Sequence, residues 1–166
     1  IPCVEICPGE NTSIKTIEKT KEIFTASGAS IVNVKKEIDG FILNRLQGAL
    51  LNEAMRLYSD GYASSDEIDA TIRDGLGLRW AFMGPFETID LNAPGGIKDY
   101  ISRYGPMYIE MAKNQTKIPD WSEEAGKKLE IERRKILGHD ELENRAKKRN
   151  QLLKSLRKVK IDNGEA

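Results

Sequence analysis

Two polar side chains, Asn44 and Arg45, interrupt the apolar run Gly40-Phe41-Ile42-Leu43-Asn44-Arg45-Leu46 at the start of a helix-patterned stretch. A surface helix repeats its polar residues along one face, whereas Phe41, Ile42, Leu43 and Leu46 give Asn44 apolar neighbours at nearly every helical spacing. A buried Asn needs a hydrogen-bond partner, so Asn44 either serves a polar site or bonds nearby backbone. Glu5, between Val4 and Ile6 ahead of Pro8-Gly9, poses a similar choice between an exposed edge carboxylate and a buried orienting group. His139, the only histidine, sits beside Gly138 in a charged stretch and reads as a solvated loop residue. That leaves no imidazole in a cleft to act as a general base near neutral pH. Gly75-Leu76-Gly77 has neither the preceding strand nor the following cap residue of a phosphate cradle. Cys3 and Cys7 form neither a metal-ligand set nor a disulfide framework, and they read as buried free thiols of an intracellular protein. No metal centre is expected.

The elements that must position these residues fall into two groups. Cys3–Cys7 and Ile31–Val34 are short β-prone runs flanking a helix capped by Asn11, Thr12 or Ser13 and stopped at Gly28. Residues 1–36 therefore read as the closing strand-helix-strand piece of an α/β unit. From residue 37 to 166 the pattern is helical throughout. A long helix over 41–60 carries so many apolar positions that it is expected to be central and largely buried, and Gly61 ends it. Ser64-Ser65-Asp66-Glu67 is a capping box for a second helix facing inward through Ile68 and Ile72, with Gly75 and Gly77 breaking the pattern. Gly84-Pro85 opens a third helix that Pro94-Gly95-Gly96 closes, and a fourth spans about 97–113. Pro119-Asp120-Trp121-Ser122 introduces a polar helix running to Gly138, and Asp140 with Glu143 caps a last, basic one.

Composition narrows the function classes. The 166 residues are 39% hydrophobic and 31% charged, with zero formal net charge and a pI near 6.8. A balanced charge provides no global field to draw in nucleic acid or a membrane surface. No apolar run approaches the ~20 residues of a membrane span, and Ile1-Pro2-Cys3-Val4-Glu5 has neither an initiator Met nor a signal sequence, as expected for a fragment. A soluble, cytoplasmic protein is expected.

Four motifs then come into register. Ile1-Pro2-Cys3-Val4-Glu5-Ile6, Gly40-Phe41-Ile42-Leu43-Asn44-Arg45-Leu46, Asn52-Glu53-Ala54 and Met83-Gly84-Pro85-Phe86 resemble, in order and spacing, the 3-hydroxyacyl-CoA dehydrogenase superfamily. The loop Gly75–Thr88, Leu91-Asn92-Ala93 and the long tail are more similar to its lambda-crystallin branch of L-gulonate 3-dehydrogenases. The resemblance implies a mainly α chain: a remnant of a Rossmann-type NAD-binding domain (1–36), then a helical dimerisation and substrate domain (37–166). It implies the C-terminal part of an NAD-dependent enzyme that oxidises the 3-hydroxyl of a small hydroxy acid, L-gulonate-like, to a 3-keto product.

In that family a His takes the hydroxyl proton, a Glu bonded to it fixes its tautomer, and an Asn hydrogen-bonds near the substrate oxygen. Glu5 matches the Glu and Asn44 the Asn. The matching His and the nucleotide fingerprint are expected upstream of Ile1, so the chain alone is expected to be inactive. Arg79, beside Trp80, is the candidate for binding a substrate carboxylate through two parallel hydrogen bonds, the alternative being a surface Arg stacked on the indole. The family also implies a homodimer paired through its helical domains. Two other readings are a dehydrogenase of short acyl-CoA and a non-catalytic helical module whose Lys and Arg residues over 145–160 meet an acidic partner; against the second, Glu130, Glu132, Glu141 and Glu143 interleave with those charges.

Overall fold

The computed structural model describes residues 2–165. The first strand, β1 (Cys3–Ile6), pairs in parallel with β2 (Ser30–Asn33), setting Glu5 opposite Val32. Parallel neighbours need a crossover, and α1 (Ile14–Ala26) provides it. The Ser13 hydroxyl caps α1 by accepting from the Thr16 amide at 3.1 Å, and Gly28 closes it at φ +79°. Cys3 and Cys7 are free and half-buried rather than fully buried, because this two-stranded sheet has too few layers to enclose them.

The helical part opens with α2 (Phe41–Ser59), which ends in a Schellman turn: Gly61 lies at φ +77° and the Tyr62 amide returns to the Leu57 carbonyl at 2.9 Å. The Ser64 hydroxyl and Glu67 carboxylate cap one another's backbone at the start of α3 (Ser65–Ala70), the capping box read from the sequence. Gly75 and Gly77 do not interrupt the helical course of the chain. It runs on through a π-helical turn (Thr71–Leu76) into α4 (Gly77–Trp80), with the Gly77 amide bonded to the Ile72 carbonyl. A Cβ at Gly77 would lie 2.9 Å from that oxygen, so glycine here permits the π turn instead of ending the helix. Next come α5 (Pro85–Leu91), with Pro at its first position, and α6 (Gly96–Asn114). The Asp90 carboxylate links them by accepting from the Ile97 amide at 2.6 Å.

The last two helices are α7 (Glu123–Ile136) and α8 (Leu142–Asp162). The start of α8 departs from expectation. Glu141 reaches back to the Gly138 amide at 2.8 Å across a short 3-10 turn, while Glu143 pairs with Lys147, so Asp140 and Glu143 do not form the cap.

The interior is thin. Among the described residues, the buried apolar side chains are Val34, Met55, Ala93 and Ala125. The expectation of a largely buried α2 is therefore overturned: Met55 alone is buried on it, and Leu46 is 60% exposed. The described residues provide too few neighbouring elements to cover every face of that helix.

Polar ties carry much of the tertiary order. Arg56 donates to Glu53 and to the Lys117 carbonyl, Lys117 pairs with Asp60, and the Trp121 indole donates to Asn52 at 3.0 Å, together fastening the α6–α7 connection onto α2. Glu132 of α7 accepts from the Ser65 amide at 2.7 Å and its hydroxyl at 2.8 Å, capping α3 from another helix. Those Ser65 bonds hold the Glu132 carboxyl below its usual range, and burial opposes them. A depressed native pKa contributes stability that is present at neutral pH and is lost as pH falls through the carboxylate range. Glu132→Gln is expected to lower the urea midpoint at pH 7, with the difference from the parent shrinking as the titration moves below the ordinary glutamate range. A constant difference across that range would contradict this account.

Candidate functional site

Glu5 reaches from β1 to the first turn of α2. Its Oε1 accepts from the amides of Ile42 at 2.8 Å and Leu43 at 3.2 Å, and its Oε2 makes no hydrogen bond among the described residues. The carboxylate thus sits on a helix N-terminus, where orphan amides and the macrodipole both favour negative charge. Of the two readings of Glu5, the structure rules out a free edge carboxylate: the side chain is half-buried and holds a helix start.

Two successive left-handed residues bring that helix start to Glu5. Gly40 lies at φ +80° and Phe41 at φ +49°, with the Phe41 amide bonded to the Ile38 carbonyl at 3.0 Å. Glycine adopts this conformation freely, whereas for an aromatic residue it is an outlier costing about 1–2 kcal/mol. Strain of this kind persists where surrounding contacts over-determine it and concentrates at functional sites. Here the two amides on Glu5 offset it.

Asn44 lies on the same first turn, its Cβ 3.7 Å from the position a Gly40 Cβ would take. It is exposed rather than buried among apolar neighbours, and its amide forms no hydrogen bond among the described residues. The apolar spacing misled because Ile42, Leu43 and Leu46 are themselves exposed. The structure thus brings Glu5 and Asn44 to one helix terminus, each with an uncommitted polar group.

Arg79 stands apart. It is exposed near the end of α4 and bonded to neither residue. The aromatic contacts nearby run among Tyr100, Tyr104 and Tyr108 of α6, with Tyr100 and Tyr104 ring centres 4.7 Å apart and the Tyr100 and Tyr108 hydroxyls at 2.8 Å. That hydroxyl bond, with burial second, raises the Tyr100 pKa, and the Arg79 charge opposes the rise. The i, i+4, i+8 spacing of these tyrosines was visible in the sequence as a shared helix face; their pairing and proximity to Arg79 needed the fold. His139 is exposed, as expected of a solvated residue. Among the described residues no cluster of His, Cys, Asp and Glu is placed to hold a metal ion, and no helix is long and apolar enough to cross a membrane.

Residues 40–138, more than half of the chain, match the family model of the 3-hydroxyacyl-CoA dehydrogenase C-terminal domain. The chain belongs to this family. The family's helical C-terminal domain corresponds to the stretch from the Gly40 turn to the end of α7. Its 3-hydroxyacyl-CoA dehydrogenase relatives include lambda-crystallin of Oryctolagus cuniculus, 44% identical over 122 residues, covering 74% of this chain and 38% of that protein. L-carnitine dehydrogenase of Pseudomonas putida is 47% identical over 107 residues, covering 64% of this chain and 33% of its own. Among solved structures, 5-formyl-3-hydroxy-2-methylpyridine 4-carboxylic acid 5-dehydrogenase, an NAD+ dependent dismutase, superposes with a TM-score of 0.63 at 26% identity, covering 74% of this chain and 38% of that one. The chain spans roughly a third to two fifths of the length of the curated relatives it matches.

Removing the Glu5 carboxylate unties β1 from α2. Glu5→Ala is expected to lower unfolding free energy by about 1–2 kcal/mol, in the range of a lost helix cap, with faster hydrogen exchange at the Ile42 and Leu43 amides. Glu5→Gln, which keeps one acceptor oxygen, should lose less. Equal midpoints for Glu5→Ala and the parent in urea titration would show that the cap contributes nothing.

Proposed function

We propose that this chain is the C-terminal part of an NAD-dependent dehydrogenase that oxidises the 3-hydroxyl of a small hydroxy acid, L-gulonate-like, to a 3-keto product. The family match over 40–138 carries the reading, and the geometry of Glu5 supports it. We assign 1–36 to the closing piece of the nucleotide domain and 37–166 to the helical substrate and dimerisation domain.

Glu5 is the orienting carboxylate. One oxygen is anchored by two amides that favour the ionised form, and the other is free to accept from the Nδ1–H of an imidazole. A carboxylate held in that way fixes the tautomer whose Nε2 takes the proton from the substrate hydroxyl, and it stabilises the imidazolium that results. We place that His, by family resemblance, upstream of Ile1. Asn44, with its amide unpaired on the neighbouring turn, hydrogen-bonds the substrate oxygen as it becomes a carbonyl. NAD+, when bound, accepts the hydride that leaves C3. The turn between β1 and α1 has no glycine-rich phosphate cradle, so no described residue is assigned to hold the dinucleotide. Arg79, free of any ion pair, binds the substrate carboxylate and selects a free acid over a thioester.

The helical domain pairs as a homodimer. Leu43, 44% exposed, and Leu46 on α2 offer the apolar surface that such an interface would cover. A cytoplasmic location belongs to the same reading.

The test uses the full-length protein containing this chain and follows NADH formation with L-gulonate, L-carnitine and 3-hydroxybutyryl-CoA. Turnover of L-gulonate is expected. Glu5→Gln should lower kcat by about 100-fold or more with KM little changed, the magnitude of a lost acid–base component. Arg79→Met should raise KM for the free acids and spare the thioester; equal effects on both would remove its assignment. No NADH from any of the three substrates would sink the reading. Sedimentation is expected to show a dimer that Leu46→Glu dissociates, and a parent sedimenting as a monomer would refute the pairing.

A further inference from the structure

A second concavity lies away from Glu5, Asn44 and Arg79. It has a volume of about 500 Å³, within the range of about 300–1,000 Å³ usual for small-molecule sites, and is bounded by α2, α3, the π turn, the end of α7 and the start of α8. One side is apolar, formed by Leu50 and Leu51 of α2, Ile68 of α3, Ile72 of the π turn and Ile136 of α7. Three guanidiniums and two carboxylates complete the lining.

The charges are unequally committed. Arg73 is engaged by Asp74 through bonds of 3.0 and 2.8 Å. Arg133 Nη1 lies 3.2 Å from Asp69 and 3.8 Å from Asp66, so its charge is compensated, yet the nitrogen is buried and aligned with no acceptor. A buried donor without an acceptor is uncommon and marks a place where an acceptor is wanted. Arg145 forms no ion pair or hydrogen bond among the described residues and leaves one positive charge in excess. The π turn forms part of the wall, and such turns recur at functional sites.

We propose that this concavity binds an amphiphilic monoanion, a linear carboxylate whose alkyl chain lies along the Leu50, Leu51, Ile68, Ile72 and Ile136 wall and whose head group bonds Arg133 and Arg145. A single negative charge matches the excess at Arg145, whereas Asp66 and Asp69 would repel a dianion. A planar two-oxygen group can accept from two guanidiniums at once. The apolar wall separates this ligand from a small hydrophilic acid such as the proposed substrate, and the inference does not depend on that assignment.

Titration calorimetry of the chain with octanoate, octanol and octylamine at pH 7 and fixed ionic strength tests this. Octanoate is expected to saturate one site, with the other two binding at least about ten-fold more weakly, as the loss of a charge-assisted bond requires. Arg145→Gln removes a side chain that ties nothing in the fold and should weaken octanoate by about ten-fold or more. Ile72→Trp, with its helix content checked by circular dichroism, should abolish binding by filling the cavity, and Arg79→Met should leave it unchanged. Equal binding of octanol would reduce the site to apolar partitioning and overturn the proposal. So would an absence of octanoate saturation, octanoate binding that survives both Arg145→Gln and Ile72→Trp, or loss of binding in Arg79→Met.

Discussion

A carboxylate on a strand holding the amino end of a long helix is the interaction on which the arrangement of this protein depends. Glu5 grips the amides of Ile42 and Leu43, and through them the strand-helix-strand unit is aligned with α2, the helix whose turns meet α3 and the α6–α7 connection. The grip requires the chain to enter α2 through two left-handed residues, one of them the unfavourable Phe41. Orphan amides at a helix start must be satisfied somewhere, and here no side chain of the cap residue can do so because that residue is Gly40. A distant carboxylate takes the role, and a local capping requirement becomes a tertiary one.

The same device recurs at lower stakes. Glu132 caps α3 from α7, Asp90 holds the start of α6 beside Gly96 at φ +72°, and Arg157 of α8 donates to the Gly28 carbonyl at 3.0 Å. With so few buried apolar side chains, these directional ties define how the helices meet more sharply than hydrophobic area does. Glycine serves them by close approach: at Gly96 a Cβ would lie 2.8 Å from the Asp90 carboxylate, and at Gly28 one would lie 2.9 Å from the Arg157 guanidinium.

For the proposed chemistry, the consequence is a carboxylate whose two oxygens have separate tasks. An oxygen committed to backbone amides cannot swing away, so the remaining one is presented in a fixed direction at small entropic cost. Asn44 rides on the same turn, and any movement of α2 relative to β1 would carry it along with the amides that Glu5 holds. Arg79 is coupled instead to the tyrosine face of α6, and its position relative to the other two depends on the packing of α4 to α6.

The sequence by itself determined the elements and their family. Capping residues, glycine stops and the Pro85 helix start depend on neighbours within a few positions, and they placed α1, α2, α3 and α5 close to where they lie. The motifs around Glu5, Asn44 and Met83–Phe86 identified the family that residues 40–138 match. Tertiary structure alone decided which polar atoms are committed. Burial of Asn44 was inferred from apolar neighbours along one helix, but burial depends on what covers that helix, and Ile42, Leu43 and Leu46 are exposed. The bond from Glu5 to α2 spans 37 residues, so no local pattern announces it. Gly75 and Gly77 read as breakers because propensity weighs the residue alone, whereas the closeness of the Ile72 carbonyl to Gly77 turned a break into a π turn. Short-range chemistry is written in adjacent residues, while the partner of a long-range hydrogen bond exists only once the chain has closed upon itself.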